Sequence, residues 1–243
     1  AGHPDAGGLV PHVASRDAAH DAMVDAWCER AACGKRVALV VATNEDADAI
    51  SEAIQQRRLD AGEFQADAVA LGRGGQRMLV GDVIQTRRND RAADVQNRAT
   101  WIITAIDDDR LLLANLADST EQRTIRADYA AEHAHLAYAS TVHGIQGETV
   151  DASIVGPGVD AAGLYVGLTR GRHWNEAIVV AGSAEAAREE LADAMRRGVP
   201  EPTIEDSRRA VQIDLSRAAR RVVAPAPMDP VVRPAASRRG LGI

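Results

Sequence analysis

Apolar residues recur along this chain with two different periods. In residues 15–32 (SRDAAHDAMVDAWCERAA), His20, Met23, Val24, Trp27 and Ala31 fall three and four apart, which predicts one face of a helix. Ser15 is its expected N-cap and Gly34 its stop. Residues 36–42 (RVALVVA) are an unbroken apolar run, the pattern of a strand buried on both faces of a parallel sheet. Thr43 and Asn44 make a turn, and residues 45–59 return to helical spacing with Ala47, Ile50 and Ile54 inward. A strand, turn and helix in that order predict an α/β domain.

The period then changes. Residues 78–87, 100–106, 110–116 and 121–126 read as short strands, with Asp107, Asp108 and Asp109 turning between two of them. Short strands with tight turns predict a small antiparallel barrel. The first pattern resumes with strands at 136–142 and 151–155, a helix at 161–170 and a strand at 176–181. Ser183 is placed to cap a helix running to Arg197. Six of the nine prolines lie at 200–234, so the tail reads as linker, with one further helix expected at 203–221. The expected fold is therefore α/β, a parallel sheet interrupted by a β-rich insert.

Composition narrows the class. Apolar residues make up 46% and charged residues 26% of 243, ordinary for a globular protein, while 3% aromatics leave the core to Val, Ile, Leu and Ala. No apolar stretch is long enough to predict a transmembrane helix, and AGHPDAGGLV is not a signal peptide, so a cytoplasmic setting and no membrane partner are expected. Without an initiator Met the chain reads as a piece of something longer. Cys28 and Cys33 are expected reduced, and with His133 and His135 they form no metal set. The net charge of −7 argues against indiscriminate coating of nucleic acid. Locally the balance reverses: residues 71–98 carry six basic and three acidic groups.

The chemistry is defined partly by what is missing. The sole lysine, Lys35, sits in Cys33-Gly34-Lys35-Arg36, ahead of a strand rather than after one. Glu29 stands where a phosphate-binding loop needs its first Gly, and Arg36 where it needs a hydroxyl for Mg²⁺. No apolar strand ends in Asp-Glu. An independent ATPase is excluded on these residues. Two segments remain. In YASTVHGIQGETVD (138–151), Ser140, Thr141, His143 and Gln146 are able to hold phosphate oxygens, and Gly144 and Gly147 permit close backbone approach. A polar turn capping a helix would look the same. In YVGLTRGR (165–172), Arg170 ends a helix, where it serves either as a finger on a neighbouring phosphate or as one half of a surface ion pair.

Taken in order, VALVVATNEDADAI, AYASTVHGIQGETVD and GLYVGLTRGRHWNEAIVV resemble motifs IV, V and VI of superfamily 1 helicases. The RecD-like branch fits best, because an SH3-like β-barrel is inserted there between motifs IV and V. Residues 82–130 look like that insert, and VGDVIQTRRND like the lead into it. The wording of DAAHDAMVDAW, TVHGIQGETVD and AAGLYVGLTRGR is most similar to the helicase part of actinobacterial conjugative relaxases of the TraA/TrwC kind. The resemblance covers residues 9–182.

It implies a RecA-like second motor domain at 34–87 and 132–182 that lacks its own phosphate-binding loop. A helical lead-in at 1–33, the SH3-like insert at 88–131 and a tail at 183–243 complete the division. Arg170 would be the catalytic arginine finger, with Gln146, Gly147 and Glu148 on the nucleotide side of the cleft and Glu148 near the ribose. Thr43, Asn44, Thr141 and His143 would face single-stranded DNA, and Tyr165 and Arg172 would support the motif VI helix. ATP and Mg²⁺ would be bound mainly by a first RecA-like domain, upstream or on a separate chain. The competing readings are a non-catalytic single-stranded DNA-binding module and a structural relic.

Overall fold

The structure is a computed structural model and describes residues 11–64, 68–145 and 149–196. In chain order its elements begin with β1 (His12–Val13), α1 (Arg16–Ala32), β2 (Val37–Val41) and α2 (Asn44–Asp60). There follow β3 (Val69–Leu71), β4 (Arg77–Leu79), β5 (Val83–Thr86), β6 (Thr100–Asp107), β7 (Arg110–Asn115), β8 (Gln122–Arg126) and α3 (Ala127–His133). The last part holds β9 (Ala134–Leu136), β10 (Ala139–Thr141), β11 (Val150–Val155), α4 (Ala161–Gly167), β12 (Gly171–Ala177), β13 (Val179–Val180) and α5 (Ala184–Arg196). The expected helix at 203–221 lies outside the described residues.

The fold class is the expected one, α/β with a parallel sheet. That sheet has the order β10-β2-β11-β12, and every pair in it is parallel. Its two faces follow from the alternation of side chains along a strand. Leu39 and Val41 of β2 and Ile154 of β11 point into a core with Met23, Ile50 and Ile54 of α1 and α2. Val40 and Val155 point the other way, onto Leu164 of α4 and Ile145. This double burial is why β2 reads as an uninterrupted apolar run. The first long helix begins at its expected cap, and the second one residue earlier than expected, at Asn44, with Thr43 as its cap. Ser15 accepts from the Ala18 N–H at 3.1 Å, and Thr43 from the Asp46 N–H at 3.1 Å.

The residues between α2 and β10 form an antiparallel sheet of order β8-β7-β6-β5-β9. It reaches beyond 88–131 on both sides, because β5 pairs with β6 and also with β9. Its inward residues, Trp101, Ile103, Leu111, Leu113 and Ile125, belong to the same continuous core as Leu39 and Ile50. The insertion is therefore packed into the α/β layers rather than hung from them.

Several elements differ from the sequence reading. Residues 78–87 are two strands, since the chain turns at Gly81, whose φ of +96° suits glycine alone. Residues 136–142 are likewise split: β9 joins the antiparallel sheet and β10 the parallel one. The edge strand of the four-stranded sheet is the polar β12, GRHWNEA, while the apolar run after it gives β13, which pairs in parallel with β1 instead. An edge strand exposed over most of its length has no need of an apolar pattern.

Candidate functional site

The parallel sheet has two edges, and they gather different residues. At the carboxyl edge, β2 ends at Val41 and β10 at Thr141, and these two residues are in register. Thr43 caps α2, and its hydroxyl donates to Asp46 Oδ2 at 2.7 Å. Asn44 is exposed and its Oδ1 accepts from Arg87 Nη2 at 3.4 Å. His143 is exposed, and its carbonyl accepts from Arg98 Nη1 at 3.1 Å. Thr141 closes the turn between them, its carbonyl accepting from the Gly144 N–H at 2.7 Å. Thr43, Asn44, Thr141 and His143 thus share one edge. Gly163 lets α4 approach this turn, since a Cβ there would lie 2.6 Å from Val142 Cγ2.

Asp46, buried under this edge, is held by Arg16 and Thr43, with His20 Nε2 at 3.2 Å from its Oδ1. Burial alone would raise its pKa, but hydrogen bonds from Arg16 and Thr43 hold it below the usual carboxylate value. Asp46 is therefore a fixed negative charge beneath the edge.

Arg170 lies on the opposite, amino edge. At about 3.3 Å per residue, the five-residue β2 puts the two edges on the order of 17 Å apart. Arg170 lies in the turn after α4, its N–H donating to Gly167 O at 3.1 Å, and its carbonyl accepts from the Val150 N–H at 3.1 Å. Its Nε donates to Val166 O at 3.1 Å, and among the described residues no carboxylate pairs with its guanidinium. Arg36 joins this edge, donating through its backbone N–H to Asp151 Oδ2 at 2.9 Å and through its side chain to Thr149 O. That backbone bond, more than the nearby cations, holds the half-buried Asp151 carboxyl below the usual carboxylate pKa. The Tyr165 ring is 74% exposed and Arg172 is exposed, so neither side chain is a buried brace for α4. Gln146, Gly147 and Glu148 lie outside the described residues; the chain leaves Ile145 on one face of the sheet and re-enters at Val150 beside Arg170.

The sequence reading missed Arg87 and Arg98, which the structure sets against Asn44 and His143. A signal existed, the basic excess over residues 71–98. Between the two sheets lies a cavity of about 580 Å³ whose lining includes Lys35, Arg36, Gln85, Arg98, Tyr138 and Arg172. Among the described residues no group of three His, Cys, Asp or Glu is placed to hold a metal ion. None of their helices is long and apolar enough to cross a membrane.

Comparison with known proteins gives one decisive likeness. Two uncharacterized Mycobacterium tuberculosis proteins, MT2373 of strain CDC 1551 / Oshkosh and Rv2311 of strain H37Rv, are each 34% identical to it over 136 residues. The match takes in 53% of this chain and 75% of the relative. The chain belongs to the family of these two mycobacterial proteins. Membership of that family brings no activity with it. No family model matches the chain. Among solved structures it is similar to the Pif1 helicase from Bacteroides in complex with ADP-AlF3 and ssDNA, with a TM-score of 0.44 and 16% identity, over 76% of this chain and 46% of that one. The Candida albicans Pif1 helicase gives a TM-score of 0.40 and 15% identity, over 67% and 49%. The chain thus spans less than half of each Pif1 chain, and a likeness this distant carries no argument about its chemistry.

Proposed function

We propose that this chain is the C-terminal motor domain of an ATP-dependent DNA helicase that moves on single-stranded DNA. In this reading it is a RecA-like second domain with an SH3-like insert, of the RecD-like branch of superfamily 1 and the helicase part of a conjugative relaxase. The observation that carries the reading is the position of Arg170. It stands at the end of α4, beside the strand that the TVHGIQGETVD segment enters, with no acidic partner among the described residues. A guanidinium so placed suits the γ-phosphate of ATP held by a facing domain.

ATP and Mg²⁺ are bound mainly by that first RecA-like domain, in the same polypeptide or another. The residues of this chain fit only part of the nucleotide: Lys35 and Arg36 precede a strand and offer no backbone cradle for the phosphates. Gln146, Gly147 and Glu148 complete the near side of the cleft, and Thr43, Asn44, Thr141 and His143 meet DNA at the other edge.

The test is DNA-stimulated ATP hydrolysis by this chain alone and joined to a first RecA-like domain. The chain alone is expected to hydrolyse nothing. In the joined protein Arg170→Ala is expected to cut turnover by roughly 10³-fold or more while DNA binding stays. Arg170→Lys is expected to be severely impaired as well, since an ammonium lacks the planar fork. Normal turnover in the Arg170→Ala protein would return Arg170 to the role of a surface cation.

A further inference from the structure

Several arginines of this protein pair with carboxylates. Arg16, Arg57, Arg58, Arg123 and Arg126 all have an acidic partner within salt-bridge distance. Arg73, Arg87 and Arg98 do not, among the described residues, although the fold brings them together: a Cβ at Gly72 would lie 3.0 Å from Ala134 O, the Arg87 N–H donates to the adjoining His133 O at 2.7 Å, and the Arg98 N–H donates to Thr86 O beside Arg87. They come from three separate places: the turn after β3, the end of β5 and the loop before β6. The fold has gathered three cations that repel one another.

Arg98 is built into its place. It is one of two non-glycine residues among those described with positive φ, at +69°. Left-handed backbone is unfavourable for a side chain with a Cβ, and it persists where the surroundings dictate it. Here the Arg98 N–H donates to Thr86 O at 2.6 Å, and its carbonyl accepts from Gln85 Nε2 at 3.3 Å. The same Gln85 nitrogen donates to Gly144 O at 3.3 Å, and the Arg98 guanidinium to His143 O. Gln85 is 2% exposed, so a buried amide bolts the arginine loop to the Thr141–Gly144 turn. Arg87 reaches the same edge through Asn44. Its Nε is buried and has no partner.

We propose that Arg73, Arg87 and Arg98 form a clamp for backbone phosphates of single-stranded DNA, where the antiparallel sheet meets the carboxyl edge of the parallel one. The clamp rests on the reading of Thr43, Asn44, Thr141 and His143 as the DNA edge, and it adds the groups that carry the charge. Guanidinium groups suit phosphate oxygens because they donate in a planar fork and stay ionised. Burial of Arg87, followed by the charges of Arg73 and Arg98, lowers its pKa from the ordinary arginine value. An anion between the three relieves that repulsion. Asp48, an exposed carboxylate, is the acidic group whose charge acts on Arg87; burial of its carboxyl and the charge of Glu52 raise its pKa, against the charges of Arg73 and Arg87.

The experiment measures binding of a fluorescein-labelled oligothymidylate to the full chain by anisotropy across a salt series. Compared are the unchanged protein, Arg87→Gln, Arg98→Gly, the double variant, and Arg110→Gln as a control on the far hairpin. Glycine is chosen at 98 because it tolerates the positive φ. Each clamp variant is expected to lose about tenfold in affinity at low salt. Each is also expected to lower the slope of log K against log salt by about 0.7, the value for one phosphate contact to a single strand. The control keeps the slope, and thermal melts confirm that each variant is folded. Equal affinity and equal slope in all proteins overturn the clamp and leave the DNA edge standing. No binding by the unchanged protein at low salt overturns both. Displacement of the oligonucleotide by polyglutamate at matched charge also overturns the clamp, because the cluster then accepts any polyanion.

Discussion

His135 shows how one side chain is governed by its neighbours. It lies on β9, is 8% exposed, and its Nδ1 is buried with no partner. Burial first, then the charges of Arg87 and Arg73, pull its pKa down to about 4. Between that value and the ordinary 6.5 the unfolded chain binds a proton that the folded chain refuses, so stability rises with pH across this window and falls as the solution is acidified. The shift is worth about 3 kcal/mol in full. Urea denaturation at pH 7 and at pH 4.5 is expected to show most of that loss, and His135→Gln is expected to abolish the part due to this residue. Asp82 works in the opposite sense, since burial raises its pKa and its ionisation opposes folding above the usual carboxylate range. A pH profile in which His135→Gln changes nothing would mean that the imidazole reaches water.

Among the elements, the joint between α2, β5 and β10 depends on Asp82. Its carboxylate is fully buried and accepts from the Leu79 N–H at 2.7 Å, Gln55 Nε2 at 2.5 Å and the Tyr138 hydroxyl at 2.6 Å. Arg58 donates to the same hydroxyl at 2.6 Å and lies 4.3 Å from the Phe64 ring centre. Asp82→Ala strands three buried donors at about 1–3 kcal/mol each and is expected to cost about 3 kcal/mol or more in chemical denaturation. Gly171, where α4 hands over to β12, has no room at all: a Cβ would lie 2.0 Å from the Trp174 carbonyl oxygen and 2.9 Å from the Ser153 N–H nitrogen. Backbone atoms do not step aside as side chains do, so Gly171→Ala is expected to cost about 3 kcal/mol by the same assay. Neither constraint is legible in the sequence: the first joins segments far apart, and the second depends on the backbone path that Gly171 and Trp174 take within one strand. What was legible is local. Caps, helical spacing and the run of β2 are written in neighbouring residues. The α3 helix and the division between β9 and β10 are not, since Ala137 and Tyr138 carry no turn signal and only tertiary pairing assigns the two strands to different sheets.

At the scale of the whole molecule, the sequence foretold an α/β sheet with a β-rich insertion, and the motif order placed the carboxyl-edge residues together. It could not foretell that one core would run through both layers, or that the insertion would set arginines against the carboxyl edge. The shared core has a consequence for the order in which the chain assembles. β2 pairs with β10, and about a hundred residues separate them. Closing so long a loop in a random chain costs entropy before any contact repays it. The antiparallel strands β5 to β8 meet their neighbours in sequence and need no such closure. Once β9 joins β5, the end of the loop is two residues from β10, already carried back against α2. The insertion is thus expected to act as the chaperone of the sheet it interrupts, collapsing first, shortening the journey between β2 and β10, and leaving the parallel ladder as the late, rate-limiting event. Stopped-flow refolding is expected to slow when the insertion is weakened, by Trp101→Ala for example, and to change little when the edge strand β12 is weakened, which would speed unfolding instead.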